Sequence, residues 1–251
     1  MISDIFPSMS EILIKAATEL NEQLDGLQFS EPVTHVYNPL VYAWDNYQTY
    51  LQRFAQGSKK VLFLGMNPGP WGMAQVGIPF GEVSLVKNWM GICGAVNKPK
   101  NEHPKRPITG FDCTRSEVSG KRLWGLFSEV YPDANDFFTH HYVHNFCPLV
   151  WMADTGRNIT PDKLSKSEMQ PVEAACRQHL AKLIEQLQPE FLIGVGAFAE
   201  KQLKNTLKEH LPEYKATLGR ILHPSPASPA ANRGWPEAAT AQLIEQGIWS
   251  S

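Results

Sequence analysis

The sequence predicts an α/β protein, built as a single-domain, three-layer sandwich with a central, mainly parallel four-stranded sheet flanked by helices. Strand-like segments occupy residues 61–64, 140–145, 191–195 and 218–222, and segments with helical spacing lie between them. Parallel strands need crossover connections, which are usually helices, and burial on both faces favours short apolar runs. No repeat or linker divides residues 1–251. We therefore expect one domain.

The N-terminal part is predicted to contain two helices ahead of the first strand. Ser8 and Glu11 form a capping-box pattern in front of regularly spaced apolar residues, which indicates a helix that stops at Gly26. We expect residues 1–32 to be a helical extension packed on the domain. A second helix is predicted over residues 38–57, from an Asn-Pro start to a glycine stop, with an aromatic stripe that indicates packing.

The middle of the chain alternates irregular loops with helices. Five glycines and three prolines between residues 65 and 81 predict a long irregular loop, a feature that is usually functional in a compact domain. A helix is predicted over residues 82–90. Residues 97–111 contain three prolines and show no periodicity, so we expect a loop there. Helical spacing returns over residues 116–131, ahead of the strand at residues 140–145.

The C-terminal part repeats the alternation of helix and strand. The longest helix is predicted over residues 168–187, with Pro171 tolerated in its first turn. A further helix is predicted over residues 197–207, between the last two strands. Residues 223–235 carry three prolines in their first eight positions, a spacing that a helix does not hold. They are predicted to form an irregular loop ahead of a final helix that starts at Pro236.

The charge of the chain limits how it can bind nucleic acid. The net charge of −2 argues against a protein that coats nucleic acid non-specifically, because phosphate binding normally needs a basic surface. Between residues 98 and 122, however, seven lysines and arginines face three acids, a local excess of four positive charges. Two interpretations stay open for this segment, a patch that contacts phosphates or a solvated lysine-rich loop.

We expect no metal and no cofactor. The four cysteines lie far apart without a C-x-x-C pair, so zinc and iron–sulfur sites lack their usual spacing and reduced thiols are expected. Strand alternation would set His141 opposite His140 and His144, and no acid or thiolate is spaced to complete a site. The N-terminus has acids where a signal peptide needs basic residues, and no run of ~18 apolar residues exists, so we expect neither secretion nor membrane insertion.

Three polar residues follow three of the predicted strands. Asn67, Asn145 and His223 each come at a strand end, and the carboxyl ends of parallel strands meet at one rim of the sheet. A clamped asparagine amide can pair with uracil through its O4 and N3–H groups, whereas cytosine would leave buried groups unpaired at about 1–3 kcal/mol each. His223 could stabilise negative charge on a leaving base, and Phe80 could stack on a planar ring.

Each of these residues also has a purely structural interpretation. Asn67 in an Asn-Pro-Gly sequence is a common turn residue, and Asn145 could form an Asx-turn. His223 could be a packed core histidine, and Phe80 a core aromatic residue. A serine nucleophile at Ser225 is not expected, because the chain has no G-x-S-x-G elbow. The conjunction of polar groups at three strand ends favours the functional interpretation.

Three motifs carry a family resemblance. GMNPGPWGMAQVGIPFGEV at 65–83, VHNFCPL at 143–149 with GRNITP at 156–161, and HPSPASPAANRGW at 223–235 closely resemble the SMUG-type, single-strand-selective monofunctional uracil-DNA glycosylases. The likeness runs from about residue 33 to the final helix. It implies the uracil-DNA glycosylase fold and hydrolysis of the N-glycosidic bond of uracil, and of 5-hydroxymethyluracil, flipped out of single- or double-stranded DNA.

The resemblance implies a role for each matching residue. Asn67 would position the attacking water at C1′ and His223 would support the departing anion at O2, which makes them the catalytic pair. Asn145 would read the uracil edge and Phe80 would stack on it. Met66, Gly69 and Met73 complete the expected substrate-binding set, and the last two match positions that hold a water near C5, which would admit a hydroxymethyl group and disfavour thymine.

The loop after His223 is expected to enter the duplex and hold the gap left by the extruded base. The resemblance also implies a residue larger and more basic than Ala227 in animal members, so wedging is expected to be weaker here. The motif has no carboxylate at its water-activating position, which implies modest turnover. It has no lysine either, so no lyase step is expected. The expected wedge residues are Pro224, Ser225, Pro226, Ala227, Ser228 and Pro229.

Competing functions remain open at the level of sequence. The chain could be a mismatch thymine or xanthine/hypoxanthine glycosylase of the same superfamily, a non-catalytic lesion-binding protein, or an α/β module that binds free nucleotides. Iron–sulfur uracil glycosylases are disfavoured by the cysteine spacing. We expect a monomer whose partner is DNA with uracil or an oxidised pyrimidine, located with the nucleoid in the cytoplasm of a bacterium or in the nucleus of a eukaryote.

Overall fold

The computed structural model describes residues 7–250, so the first six residues of the expected extension and the last residue of the expected domain lie outside it. The strands in chain order are β1 (His35–Tyr37), β2 (Val61–Gly65), β3 (His141–Asn145), β4 (Val150–Met152), β5 (Asn158–Ile159), β6 (Phe191–Val195) and β7 (Thr217–Ile221). The helices are α1 (Met9–Leu24), α2 (Pro39–Tyr42), α3 (Trp44–Phe54), α4 (Met73–Val76), α5 (Val83–Asn88), α6 (Val118–Val130), α7 (Ala134–His140), α8 (Lys166–Leu187), α9 (Ala197–His210), α10 (Pro229–Asn232) and α11 (Trp235–Glu245).

A parallel four-stranded sheet lies at the centre, in the order β3-β2-β6-β7. Every residue of β2 and β3 is buried, so both faces of these strands are covered by other elements, as continuous hydrophobic strands require. The predicted fold class is confirmed. The register pairs Gly65 with Asn145, which brings the ends of β2 and β3 to the same level at the carboxyl rim of the sheet.

Helices pack around this sheet and define the core. α9 packs on β6 and against α8, while α1 packs against α8 and α3, and α11 packs on β7 and α6. The capping box predicted for the first helix is present: Ser8 Oγ accepts from the amide of Glu11, and the Glu11 carboxylate accepts from the amide of Ser8. No helix within residues 7–250 is long and apolar enough to cross a membrane.

Several elements differ from those predicted. The helix expected over residues 38–57 is two helices, because Ala43 leaves helical geometry at φ −115° and ψ 30°. Pro171 is not in a first turn, since α8 begins at Lys166 after a Ser165 cap. His140 ends α7, a helix that was not predicted, so it does not share the strand with His141. The C-terminal loop, expected to be irregular, contains the short helix α10.

A second sheet was also not predicted. It is antiparallel, with the order β1-β4-β5, and its strands have two or three residues each. Such short segments carry too few residues to show a period of two. This sheet holds residues 150–159 beside the carboxyl rim of the main sheet, where Asn158 reaches the pocket described next.

Candidate active site

One pocket of about 250 Å³ lies at the carboxyl rim of the main sheet. All seven residues predicted as catalytic or substrate-binding line it, together with part of the predicted wedge loop. Its lining residues are Met66, Asn67, Pro68, Gly69, Pro70, Met73, Phe80, Glu117, Ser119, Asn145, Asn158, Thr160, His223, Ser225 and Pro226.

Asn67 lies two residues beyond β2 and is held by its side-chain nitrogen. Nδ2 donates to the carbonyl of Leu149 at 3.1 Å and to that of Pro68 at 3.4 Å. These bonds fix the orientation of the side-chain amide, because a flipped amide would place its oxygen against two carbonyl oxygens. Oδ1 is thereby left as a fixed acceptor in the pocket, able to orient the proton of a water molecule.

Asn145 is the last residue of β3 and is 5% exposed. Its Nδ2 donates to Sδ of Met73 at 3.3 Å, and a thioether is a weak acceptor. The contact orients the amide while its second N–H and its Oδ1 stay available for a ligand. This is the fixed donor and acceptor pair that recognition of a uracil edge requires.

Phe80 has φ 54°, a left-handed conformation that is strained for a bulky residue. Its backbone is pinned by α6: a Cβ on Gly120 would lie 2.0 Å from the Phe80 carbonyl oxygen, so Gly120 lets the helix approach closely. Trp124 of α6 also donates to the carbonyl of Pro79 at 3.0 Å. The strain persists because the surrounding packing fixes the ring in the pocket, with its centroid 6.5 Å from that of His223.

His223 follows β7 by two residues and its tautomer is fixed by the backbone. The amide of Ser225 donates to Nδ1 at 3.1 Å, so the proton of the neutral ring sits on Nε2. Burial lowers the pKa of His223 from its ordinary value of 6.5. At neutral pH the residue therefore offers one neutral N–H donor, suited to an oxygen on which negative charge develops.

Glu117 is a carboxylate that sequence reasoning did not place in the site. Its Oε1 accepts from the amide of Ser119 at 3.3 Å and so caps α6, while Oε2 lies 2.7 Å from where a Cβ on Gly69 would be. Burial raises the pKa of Glu117 above its ordinary value of 4.5. The motif was expected to carry no carboxylate at its water-activating position, and Glu117, the N-cap of α6, brings a carboxylate to the pocket from outside the motif.

Asn158 was quoted within a motif but given no role. Its Oδ1 is buried, and no partner for it exists within the described residues. Asn158 and Thr160 line the same pocket from β5 and the turn after it. The signal that could have found them was the GRNITP segment of the second motif, which brings these polar residues close to the end of β3.

The predicted wedge loop begins in the pocket and ends in α10. Ser225 and Pro226 line the pocket, and Ala227 is exposed. Pro224 and Ser228 do not line it: Pro224 is buried, and Ser228 caps α10 by accepting from the amide of Ala231, which makes Pro229 the first residue of that helix. The loop is therefore held at the pocket on one side and by the α10 cap on the other, and the small residue Ala227 is exposed between them.

The histidines do not assemble a metal site. Nδ1 of His141 bonds to the carbonyl of Phe137 at 3.0 Å, and the ring of His144 packs 5.2 Å from that of His179. Within residues 7–250 no group of three or more histidines, cysteines, aspartates or glutamates is placed to hold a metal ion.

The pocket lies in a chain with known relatives. Residues 52–244 match the profile of the Uracil DNA glycosylase superfamily, and the chain belongs to that superfamily. It is also similar over 96% of its length to proteins named single-strand selective monofunctional uracil-DNA glycosylase. The one from Bos taurus is 46% identical with 88% of its own length covered, and those from Rattus norvegicus and Mus musculus are 45% and 44% identical with 86% covered.

A solved structure supports the fold. The crystal structure of wild-type SMUG2 from Pedobacter heparinus superposes with a TM-score of 0.66, covering 97% of this chain and 96% of that one at 16% identity. At this identity the likeness concerns the fold alone. The superfamily profile and the relatives confirm the family resemblance that the three motifs indicated.

Proposed function

We propose that this protein is a monofunctional uracil-DNA glycosylase, which hydrolyses the bond between C1′ and N1 of a flipped-out deoxyuridine and leaves an abasic site. The observation that carries the proposal is the convergence of Asn67, Asn145 and His223 in one pocket at the sheet rim, in a chain of this superfamily. The relatives named above are monofunctional enzymes by name, and the geometry of the pocket is consistent with the same chemistry.

Base recognition is assigned to Asn145. With Nδ2 oriented by Met73, Oδ1 accepts from N3–H of uracil and the second Nδ2 proton is donated to O4. Cytosine presents a donor at N4 where uracil presents O4, and an acceptor at N3 where uracil presents N3–H, so both buried contacts would be repulsive. A clamped amide thus discriminates by about 1–3 kcal/mol for each unsatisfied group.

Bond cleavage is assigned to His223 and Asn67. As the glycosidic bond breaks, its electron pair passes to N1 and is delocalised onto O2, where the neutral Nε2–H of His223 stabilises it. Asn67 Oδ1 then accepts a hydrogen bond from a water whose oxygen adds to C1′, and the proton that this water loses passes to the uracil anion or to solvent. No amine nucleophile takes part, since no lysine lines the pocket within the described residues.

The substrate range is proposed to include 5-hydroxymethyluracil. Gly69 presents no side chain to the pocket, and Met73 has a flexible thioether that can adjust to a small polar substituent. A bound water can be exchanged for a hydroxyl that repeats its hydrogen bonds, whereas the methyl group of thymine cannot repeat them.

The test is base release from single-stranded and duplex oligonucleotides that carry one uracil. We expect wild-type protein to release uracil, and the Asn67→Ala and His223→Leu variants to lose at least about a hundredfold in single-turnover rate while still binding DNA. We expect Asn145→Ala to fall similarly, and borohydride to trap no protein–DNA adduct. Release of thymine from mismatches, of hypoxanthine or of xanthine, without uracil release, would contradict the proposal.

We also propose that the protein works as a monomer on cellular DNA, in the nucleoid region of a bacterial cytoplasm or in the nucleus of a eukaryotic cell. Of the large hydrophobic side chains that are exposed in the described region, Val41 lies in α2, and Val118 and Val130 lie at opposite ends of α6. Single exposed apolar residues do not require a partner. Light scattering of the purified protein and cell fractionation check these two points.

A further inference from the structure

Two arginines of the basic segment lie over one tryptophan of the pocket loop. The guanidinium carbons of Arg106 and Arg115 are 5.0 and 4.9 Å from the ring centroid of Trp71. Trp71 directly follows Pro70, which lines the pocket. Arg106 also lies against Gly156, since a Cβ there would come within 3.6 Å of its Cζ. The cluster therefore sits between the pocket loop and the segment that carries Asn158.

The charges of this cluster are not neutralised by the protein. Within residues 7–250 neither arginine lies within 4.0 Å of a carboxylate, whereas Lys98 of the same segment is paired with Glu102 at 2.9 Å. Nε of Arg106 is buried, and no hydrogen-bond partner for it exists among the described residues. Desolvating part of a guanidinium without a partner is costly unless a ligand completes its bonding.

The contact with Trp71 leaves the guanidinium edges usable. A guanidinium over an aromatic ring is attracted through its face, while its N–H donors lie in its own plane and do not contact the ring. Nη1 of Arg106 donates to the carbonyl of Lys105 at 3.0 Å, and the other donors of the two arginines have no partner among the described residues. Each guanidinium presents planar N–H donors that can bind two oxygens at once. Two guanidiniums held over one ring are therefore suited to the non-bridging oxygens of phosphodiesters. Within residues 98–122, Arg106 and Arg115 are therefore held in place against Trp71.

We propose that Trp71, Arg106 and Arg115 form a binding site for the DNA backbone, which holds the phosphates that flank the flipped nucleotide. The inference rests on the proposed function, because that function places the nucleotide in the adjacent pocket. Trp71 acts as the platform that positions both guanidiniums, and the arginines supply the positive charge that a chain of net charge −2 otherwise lacks. Since both arginines cover the ring, Trp71 does not serve as a stacking surface for a base.

The test is the salt dependence of DNA binding. Affinity is measured by fluorescence anisotropy from about 50 to 200 mM salt, on oligonucleotides that carry a reduced abasic-site analogue, which is not cleaved. For the double variant Arg106→Gln/Arg115→Gln we expect the slope of log K against log salt to become shallower by about 1.4 on single strands and about 1.8 on duplex. Slopes equal to those of wild type on both substrates would overturn the proposal.

Matched variants separate the effect of losing positive charge from the effect of where that charge lies. Lys208→Gln/Lys215→Gln removes the same charge from exposed lysines that precede β7, at the amino end of the sheet, and is expected to leave the slope unchanged. Trp71→Ala keeps both charges and is expected to weaken binding about threefold to tenfold, while Trp71→Phe retains most of the affinity. Equal weakening by the lysine control, or no effect of Trp71→Ala, would contradict the platform role. Thermal melts identify any variant that fails to fold.

The same samples distinguish this inference from the proposed function. Uracil release by wild-type protein tests the proposed function. The slopes of log K against log salt for the arginine variants test the proposed backbone site. If wild type does not release uracil while the arginine variants change the slope as expected, the function fails and the backbone site stands. If uracil is released and the slopes do not change, the function stands and this inference fails.

Discussion

Gly65, the last residue of β2, is the residue on which the floor of the pocket depends. A Cβ at this position would lie 2.3 Å from Oδ1 of Asn145 and 2.4 Å from Cε2 of Phe80. Both neighbours are fixed, the first by strand pairing and the second by α6. We predict that Gly65→Ala lowers stability by about 1–3 kcal/mol and reduces single-turnover uracil release at least about tenfold.

Gly125 provides the control for this substitution. It lies in α6, and a Cβ there would meet nothing within 4 Å. Alanine is the better helix former, so Gly125→Ala is expected to be neutral or to stabilise by up to about 1 kcal/mol with unchanged uracil release. Urea unfolding and base release from both variants check the pair, and equal behaviour of the two would contradict the packing argument.

Glu117 yields a prediction on pH because burial raises the pKa of its carboxyl. A raised folded-state pKa means that the folded protein disfavours the ionised form, so this group costs stability once the pH exceeds about 4.5, its ordinary value. Glu117→Gln keeps an acceptor for the Ser119 amide without the charge. We predict that it raises the unfolding free energy at pH 7, with no gain at about pH 4, and that it tightens DNA binding because it removes a negative charge beside the DNA phosphates. A loss of stability at pH 7 would contradict this.

The residues of the pocket differ in how far the sequence could reveal them. Asn67, Asn145 and His223 were predicted because each follows or ends a buried parallel strand, which places it at the rim of the sheet. The register of the strands then brings the three residues to the same level. Glu117 and Asn158 were not predicted as site residues. Glu117 reaches the pocket because Gly120 lets α6 approach the carbonyl of Phe80, and such an approach depends on packing between segments far apart in the chain.

Among the elements, long ones with strong patterns were predictable and short ones were not. β2, β6 and α8 have runs of buried residues with a clear period or length. α7 has seven residues and passes directly into β3, so its helical spacing is cut off before two full turns complete. α10 was missed for a similar reason, since its four residues form within a proline-rich stretch once Ser228 caps it and Pro229 takes the first position.

The loop between β7 and α11 is tied to α6 by one arginine. Nη1 of Arg122 donates to the carbonyl of Pro224 at 3.0 Å, and Nη2 donates to Oδ1 of Asn232 at 2.9 Å. Because this loop is expected to enter the duplex, its order should matter most where a base must be extruded from a stack. We predict that Arg122→Ala lowers uracil release from duplex about tenfold, which corresponds to about 1.5 kcal/mol for the lost charged hydrogen bonds, and has a smaller effect on single strands.

Lys121 is the matched control, since it is the exposed neighbour of Arg122 on the same helix. Lys121→Ala removes one positive charge close to the same place without releasing the loop, and the ratio of duplex to single-strand activity is expected to stay at the wild-type value. Comparable loss of that ratio in both variants would mean that charge, and not loop order, supports activity on duplex.

The whole molecule carries several histidines that are buried away from the pocket. Burial lowers the pKa of His141 and of His179 to about 4, and that of His144 well below 6.5, with the charge of His179 lowering the pKa of His144 further. The unfolded chain binds protons at these rings near pH 6.5, whereas the folded chain does not. Stability is therefore retained above pH 6.5 and falls as the pH decreases below it, by up to about 1.4 kcal/mol per pH unit for each ring.

Replacing one buried ring should remove its share of this acid sensitivity. His144 lies between β3 and α8 with no hydrogen-bond partner for either ring nitrogen among the described residues, so phenylalanine can take its place without losing a bond. We predict that His144→Phe makes the decline in unfolding free energy between about pH 6 and pH 5 shallower by up to about 1.4 kcal/mol per pH unit, measured by urea unfolding. His140→Gln, at an exposed position, should leave the decline unchanged. A decline as steep as in wild type for His144→Phe would show that the acid sensitivity has its origin elsewhere, in the carboxylates that cap the helices.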